Sequence, residues 1–267
     1  MKKIAVIGFG FMGLTHTINI LNNENLELQA IVDRDTDLIE KTLHSKAGNI
    51  STGNIRAERL MNVRKYSDPE ICLESEDTDA VVICVPTAFH YEMAKLALSY
   101  DRHVFLEKPI CLDIAQAEEL IDLAEKKNKI FMVGHVVRFM PAYRQLKNWV
   151  GTGEFGDLKF LSLHRFSGRP GWGQWVEKAV ADTSGGALFD LVIHDIDFAT
   201  YLYGVPDSIE CSYLPGSLSR QDYISAMWKY SGKDLHVSIE GGNRFHINLP
   251  FQADRKSTRL NSSHVSQ

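Results

Sequence analysis

The sequence predicts an α/β protein with two domains. The first is a doubly wound parallel sheet, and the second is an α+β domain with a mostly antiparallel, open sheet. Between residues 4 and 133, short apolar strands alternate with helices, and a glycine-rich turn joins the first strand to the first helix. Beyond a linking helix, apolar and polar residues alternate, which is typical of antiparallel strands with one solvated face. A chain of 267 residues is long enough for two such domains, each with its own core.

The composition excludes several classes of protein. Hydrophobic residues make up 44% and charged residues 24% of the chain, as in ordinary globular proteins. A net charge of −5 offers no basic stripe for nucleic acid, and no apolar stretch approaches the length of a membrane span. The four cysteines show no metal-type spacing, as expected in a reducing compartment. We therefore expect a cytoplasmic protein without nucleic-acid or membrane partners.

The first strand, Ile4–Ile7, leads directly into a glycine-rich turn of the form G-x-G-x-x-G. In such a turn, Gly8 permits the tight bend, Gly10 lets a pyrophosphate approach the backbone, and Gly13 lets helix and strand pack closely. The free N–H groups of the following helix would bind the phosphates. The predicted cofactor contacts of this turn are Gly8, Gly10, Phe11, Met12 and Gly13.

A second strand gives this turn the context that it needs, because glycine-rich turns also occur for structural reasons. Leu28–Val32 ends at Asp33, twenty residues after Gly13, where a carboxylate would bind an adenosine ribose. Strand, turn, helix and acid together predict a dinucleotide-binding, Rossmann-type domain. Asp33 favours NAD over NADP, because its carboxylate would face a 2′-phosphate. Arg34 could receive that phosphate, so NADP remains possible.

The remaining elements of the first domain, residues 1–136, continue the alternation. Asp68 and Pro69 are a good helix start, with a capping carboxylate and a proline at the first helical position. Ligands of such sheets bind at the carboxyl ends of the strands. The predicted elements after Asp33 are helix 36–46, loop 48–62, a helix from Asp68, strand 80–85, helix 90–99, strand 103–106, helix 114–127 and strand 130–133.

The second domain is predicted over residues 137–253. A linking helix, Pro141–Val150, is followed by the alternating segments 158–166, 223–230 and 235–239. Between them lie a loop rich in glycine and tryptophan at 167–186 and one helix near 187–203. The sheet of this domain would form the floor of a cleft.

Two groups of residues are candidates for chemistry. Lys108 closes a core strand in Leu106-Glu107-Lys108-Pro109, where a lysine has no structural purpose. Asp190 and His194 are four residues apart and share one face of a predicted helix, so the carboxylate can orient the imidazole of a general base. Taken singly, each has an ordinary alternative, since such pairs are often local salt bridges and strand-end lysines are often surface charges.

Four motifs together resemble the Gfo/Idh/MocA family of NAD(P)-dependent oxidoreductases. They are GFGFMG, VICVPTAFH, HVFLEKP and GGALFDLVIHDID, in the order of the family from Lys3 to about Ala253. The resemblance implies that Lys108, Asp190 and His194 form the catalytic set, and that a cis peptide precedes Pro109. It also implies a lining on the nicotinamide side of the cofactor, formed by Val85, Pro86, Thr87, His90, Glu107 and Lys108. Many members carry Asn at the position of Thr87, which makes that contact less general.

The activity implied by the resemblance is hydride transfer from a secondary alcohol to the nicotinamide, with a sugar, sugar derivative or cyclitol as substrate. Arg138 matches a segment beside the substrate pocket of the family, and a salt bridge that ties the linking helix to the sheet is its equal alternative. Aromatic and hydrogen-bonding side chains suit a sugar, although both tryptophans could instead be core or subunit contacts. These candidates are Arg165, Arg169, Trp172 and Trp175. Asp195 and Asp197 flank His194, but their directions on a helix diverge, so we expect no metal site.

Two other functions stay open at this point: NAD-dependent glycoside hydrolysis on the same fold, and a non-catalytic nucleotide-binding regulator. The presence of all three catalytic candidates argues against the regulator. Residues 254–267 are polar and are expected to form a disordered tail of foreign origin on a chain truncated near Ala253. The full-length form is expected to be a homo-oligomer.

Overall fold

The computed structural model describes residues 1–37, 39, 60, 63–168, 184–216, 221–245 and 252–258. The chain divides into two compact units, Met1–Gly134 and His135–Gln267. The boundary predicted from the sequence, between residues 136 and 137, lies just after this division. Each unit contains a sheet and an apolar core of its own. In the described part of the chain, no helix has both the length and the apolar character to cross a bilayer.

The first unit is a doubly wound parallel sheet, as the sequence predicts. Its strands pair in the order β3-β2-β1-β4-β5-β6, and every pair is parallel. This is the strand order of dinucleotide-binding sheets. The order in which strands are added to the sheet reverses between β1 and β4. The elements are β1 (Lys2–Ile7), α1 (Phe11–Leu21), β2 (Leu26–Val32), β3 (Arg64–Tyr66), α2 (Pro69–Ser75), β4 (Ala80–Ile83), α3 (His90–Ser99), β5 (His103–Leu106), α4 (Ile114–Lys126) and β6 (Phe131–Val133).

Helices cover both faces of this sheet, because its strands are apolar on both sides. In β1, Ala5 and Ile7 belong to the core cluster that includes Leu98 of α3. Ile4 and Val6 belong to the cluster on the other face, with Leu14 of α1. The helix start predicted at Asp68 is confirmed, since its carboxylate accepts the N–H groups of the first turn of α2.

Several elements of the first unit differ from the sequence prediction. β4 ends at Ile83, because Cys84 and Val85 already belong to the turn that follows it. The edge strand β3 was not predicted, since its three residues are polar or only partly buried and show no period. Thr36 and Asp37 are helical, whereas most of the predicted helix 36–46 and of the loop 48–62 lies outside the described residues.

The second unit is α+β, with a mixed and mostly antiparallel sheet. The strand order is β11-β7-β10-β9-β8, with β7 and β10 parallel and the other neighbours antiparallel. The apolar core lies on one face of the sheet. There, Phe198 of α6 belongs to the same buried cluster as the strand residues Leu163 and Ile239. The elements are a 3-10 turn (Val136–Phe139), α5 (Pro141–Thr152), β7 (Phe160–Gly168), a π-helical turn (Leu188–Val192), α6 (Ile193–Tyr203), β8 (Ser208–Leu214), β9 (Tyr223–Lys229), β10 (His236–Phe245) and β11 (Gln252–Thr258).

Two parts of the second unit correct the sequence prediction. The edge strand β8 was not predicted. All of its residues are exposed, so its sequence shows no alternation of buried and exposed positions. Residues 254–258, predicted to be disordered, belong to β11 and pair with β7 from Phe160 to His164. Main-chain hydrogen bonds to an edge strand do not require apolar side chains, and a polar composition therefore does not exclude a strand there.

Candidate functional site

The carboxyl edge of the first sheet collects the turns that the sequence predicts to bind a dinucleotide. The turns after β1 and β4 flank the point where the strand order reverses, and this is where such sheets bind their ligands. Backbone bonds hold the turns in register, from Gly8 N–H to the Val32 carbonyl at 2.8 Å and from Cys84 N–H to the Ile7 carbonyl at 2.7 Å. Glycine turn, strand-end acid and the turn after β4 therefore share one edge.

The three glycines of the turn have different surroundings. Gly8 has φ +89°, and a Cβ there would lie 2.8 Å from the backbone of Cys84. A Cβ on Gly13 would lie 2.0 Å from the carbonyl oxygen of Gly8, so the close approach of helix and strand requires glycine. A Cβ on Gly10 would meet nothing within 4 Å. Gly8 and Gly13 are thus required by the fold, whereas Gly10 leaves open space at the N-terminus of α1.

This open space fits the pyrophosphate of a dinucleotide. Gly10 caps α1 without a side-chain hydrogen bond, and the first turn of α1 contains no acidic residue. The N–H groups at this end of the helix and its positive dipole end are therefore suited to an anion.

Asp33 is fixed beside the glycine turn by two backbone groups. Its carboxylate accepts hydrogen bonds from Phe9 N–H at 2.8 Å and from Asp35 N–H at 3.0 Å. The guanidinium of Arg34 lies over the ring of Phe89, 5.3 Å from its centroid. The selection of NAD by Asp33, with Arg34 as the route to NADP, stays a prediction.

The turn after β5 carries Lys108 at the same edge. The peptide bond between Lys108 and Pro109 is cis, as the family resemblance implies. Glu107 Oε1 lies 2.7 Å from Nε2 of His16, and the two side chains are 19% (His16) and 13% (Glu107) exposed. Sequence reasoning missed His16, although its place three residues after Gly13 puts it on the face of α1 that packs against the sheet.

The position of His90 corrects a prediction. We expected this side chain to line the nicotinamide side of the cofactor, yet the residue is only 2% exposed. Its Nδ1 lies 2.6 Å from the carbonyl oxygen of Pro109, and its Nε2 lies 3.0 Å from that of Val85. Burial, the largest influence, lowers the pKa of His90. The ring is thus buried between the two turns and presents almost no surface to a ligand.

In the second unit, Asp190 and His194 lie on one continuous helical segment. Asp190 is in the π-helical turn, and His194 is the second residue of α6. The sequence predicted a regular α-helix here, and the π turn is a local departure of a kind often found at functional sites. Gly241 of β10 makes room for this turn, because a Cβ there would lie 2.8 Å from Cγ2 of Val192.

The two aspartates that follow His194, Asp195 and Asp197, bind different cationic groups. Asp195 accepts hydrogen bonds from Nε and Nη2 of Arg165 on β7, at 2.7 and 2.8 Å. Asp197 accepts a 2.7 Å hydrogen bond from Nε of Arg138 and a second, from Nη2. The divergence expected from helix geometry is therefore observed. Within the described residues, no three side chains of the metal-binding types form a group that could hold an ion.

These ion pairs change the interpretation of two predicted substrate contacts. Arg165 is 4% exposed, and its Nη2 also donates to the hydroxyl of Tyr143 at 2.7 Å. A guanidinium buried and paired in this way supports the core and presents almost no surface to a substrate. Arg138 forms a salt bridge, but it joins the 3-10 turn to Asp197 of α6 and does not tie the linking helix to the sheet. Arg169, Trp172 and Trp175 lie outside the described residues.

The family of the chain follows from its fold, its turns and its sequence together. Residues 2–135 match the oxidoreductase family GFO_IDH_MocA, described as an NAD-binding Rossmann fold, and residues 143–248 match the GFO/IDH/MocA C-terminal domain. The chain belongs to this family of oxidoreductases, and its first unit is the NAD-binding Rossmann domain.

Individual relatives agree with this assignment. The chain is 31% identical over 207 residues to D-glucoside 3-dehydrogenase of Escherichia coli, covering 76% of this chain and 54% of that protein. It is 28% identical over 216 residues to myo-inositol 2-dehydrogenase of Thermotoga maritima, covering 81% and 58%. The crystal structure of myo-inositol 2-dehydrogenase from Lactobacillus plantarum shares the fold, with a TM-score of 0.81 and 24% identity over 98% of this chain and 75% of that one. The chain spans about half the length of the curated relatives that it matches.

Proposed function

We propose that the protein is an NAD(P)-dependent dehydrogenase that transfers a hydride between the cofactor and a secondary alcohol of a sugar, sugar derivative or cyclitol. The observation that carries this proposal is the position of Lys108, in a turn at the ligand-binding edge of an NAD-binding sheet. Its neighbours Glu107 and Pro109 are each tied to another element, through His16 and His90. A lysine ammonium placed in this way can stabilise an oxygen that develops negative charge.

The cofactor would be held by the residues at this edge. The open space at Gly10 and the N-terminus of α1 would take the pyrophosphate, and Asp33 would bind the adenosine ribose. When bound, the cofactor supplies the hydride acceptor. The residues proposed to contact it are Gly8, Gly10, Phe11, Met12, Gly13, Asp33, Arg34, Val85, Pro86, Thr87, Glu107 and Lys108.

Three side chains would carry the chemistry of this protein. An imidazole nitrogen of His194 takes the proton of the substrate hydroxyl as the hydride leaves its carbon. Asp190 orients that ring and stabilises its protonated form. Nζ of Lys108 donates a hydrogen bond to the same oxygen and stabilises the developing alkoxide.

The proposed substrate class rests on the names of the relatives and on the residues that are still proposed to contact the substrate. D-glucoside 3-dehydrogenase and myo-inositol 2-dehydrogenase are both named for oxidation of a ring-shaped polyol. Arg138, Trp172 and Trp175 stay proposed substrate contacts, and Arg138 would act while paired with Asp197. The homo-oligomer expected of the full-length form also stays a prediction.

The first experiment measures cofactor binding and turnover in separate assays. Energy transfer from tryptophan to NADH and to NADPH gives the two dissociation constants, and a panel of polyols with NAD gives turnover. In the Lys108→Ala variant, we expect turnover to fall by about 10²-fold or more, with NADH affinity within about threefold of the parent. Lys126→Ala, at an exposed position on α4, is the control and should behave like the parent. Loss of NADH binding in Lys108→Ala, or full turnover, would contradict the assignment.

A second function, without net oxidation, is favoured by one relative. The chain is 26% identical over 263 residues to 2,7-anhydro-N-acetylneuraminate hydratase of Mediterraneibacter gnavus, a match that covers 92% of this chain. An enzyme that takes a hydride and returns it consumes its substrate without accumulating NADH. Measuring the product and the NADH absorbance in the same reaction separates the two functions. Only a dehydrogenase forms one NADH for each molecule of product.

A further inference from the structure

The environment of His90 links two turns that approach the proposed site from neighbouring strands. The pairing of β4 with β5 extends to a 3.0 Å bond from Glu107 N–H to the Ile83 carbonyl. Val85 and Pro109 each lie two residues beyond that bond. The ring of His90 contacts the carbonyl oxygens of both residues. The ring therefore connects the two turns at the point where the backbone hydrogen bonds between β4 and β5 have ended.

We propose that His90 is a positioning residue for Lys108, which it places by holding the Pro109 turn against the Val85 turn. The role of Lys108 itself rests on the proposed function. His90 is the first residue of α3, a helix anchored in the core by Ala94, Ala97 and Leu98. A ring fixed by this helix thus contacts both turns at once.

The chemistry of imidazole suits this task. Each ring nitrogen faces a carbonyl oxygen, so a neutral ring donates one hydrogen bond and a protonated ring donates two. A purely apolar side chain of similar size would leave both carbonyls facing an apolar ring in a buried place, which is unfavourable. In the neutral form, one ring nitrogen donates to one of the two carbonyls, which lie 2.6 Å (Pro109) and 3.0 Å (Val85) from the ring nitrogens.

The charged neighbours of the ring include both residues of the Glu107–Lys108 pair. Burial is the largest influence and lowers the pKa of His90, whereas the carbonyls of Pro109 and Val85 raise it. Glu107 also raises that pKa, and Lys108 lowers it. The ring therefore lies within electrostatic reach of both side chains of the Glu107–Lys108 pair without being exposed to a ligand.

The test compares His90→Phe, which has no donor, with His90→Gln, which keeps one. We expect His90→Phe to lower kcat by about 10- to 100-fold, the scale expected for a misplaced catalytic group, with the KM for NAD nearly unchanged. His90→Gln should recover most of that loss. His103→Phe is the control: His103 lies at the opposite end of β5, where its Nδ1 accepts Ile130 N–H at 2.9 Å, and its replacement should leave kcat unchanged.

Hydrogen exchange provides a readout that does not depend on activity. In His90→Phe, amides of residues 84–89 and 107–111 should exchange about tenfold faster, as expected when a buried hydrogen bond is lost, with the rest of the first unit unchanged. Unchanged exchange in both segments overturns the proposal, even if the chain has no dehydrogenase activity. An increase in the KM for NAD at constant kcat also overturns it, since it would indicate direct cofactor contact. If His90→Phe does not fold, His90→Asn, whose shorter amide cannot reach both turns, takes its place with the same expectations.

Discussion

The two units hold their proposed catalytic residues by different means. In the first unit, the turn of Lys108 is held by the side chain of His90, which contacts two backbone carbonyls, and by the His16–Glu107 contact. In the second unit, the helix of His194 is held by two arginine–aspartate pairs, whose aspartates, Asp195 and Asp197, both follow His194 in the sequence. A buried carbonyl that loses its hydrogen bond costs about 1–3 kcal/mol, whereas breaking a buried ion pair costs about 3–5 kcal/mol. Variants that break a buried pair of the second unit should therefore lose more stability than variants that remove one of these contacts of the first unit.

The largest effect is expected from Asp195→Asn. The pair with Arg165 is buried on both sides, with side-chain exposures of 5% for Arg165 and 1% for Asp195. Removing the carboxylate charge leaves the guanidinium uncompensated, so we expect the second unit to lose about 3–5 kcal/mol in its free energy of unfolding. Urea denaturation followed by circular dichroism measures this loss.

Two further variants show whether the charge is responsible for that loss. The double variant Arg165→Met, Asp195→Leu removes both charges and should recover most of the stability, because buried pairs can often be replaced by apolar side chains. Tyr143→Phe removes only the hydroxyl contact of Arg165 and should cost about 1 kcal/mol. A double variant as unstable as Asp195→Asn would mean that packing, and not charge, determines the effect.

The same contrast explains which features could be predicted from the sequence. The glycine turn, the strand-end acid and the Lys108 turn are local motifs, and the alternation that contains them predicts the parallel sheet that is observed. The pairs of the second unit join residues far apart in sequence, such as Arg165 and Asp195, so no local pattern reports them. Arg165 was therefore predicted to face the substrate, although it lies in the core.

His90 shows a second limit of sequence reasoning. Its motif marks it as part of the site, but a motif does not distinguish a residue that contacts a ligand from one that supports such a residue. Burial makes that distinction, and burial depends on how α3 packs on the sheet. The π turn at Asp190 was missed for a related reason, because it depends on the space that the distant Gly241 leaves.

The second largest effect compares two glycines of the same turn. A methyl group on Gly13 would overlap the carbonyl of Gly8, so Gly13→Ala should destabilise the first unit by about 2–3 kcal/mol and weaken NADH binding. Gly10→Ala adds its methyl group to open space, and its stability should stay within about 0.5 kcal/mol of the parent. Its NADH affinity should fall nonetheless. Equal stability losses in both variants would contradict the difference between the crowded surroundings of Gly13 and the open space at Gly10.

A smaller effect is expected from Arg138→Met. This arginine pairs with Asp197, but its side chain is 35% exposed, so solvent screens the interaction. We expect a loss of about 1 kcal/mol, well below that of Asp195→Asn, in the same urea measurement. A loss as large as that of the buried pair would remove the distinction between the two sides of the His194 helix.

The smallest effect concerns the response of the first unit to pH. Burial lowers the pKa of His90 in the folded state, so below the unfolded value of about 6.5 the unfolded chain binds more protons at this site than the folded chain does. The stability contributed by neutral His90 is therefore fully present above that value and is lost as the pH falls toward the folded pKa. The stability difference between the parent and His90→Gln, measured by urea denaturation, should shrink from pH 7.5 to pH 5.5. A difference that grows on acidification would mean that the two carbonyls hold the ring protonated, and the first unit would then depend on a buried charge as the second does.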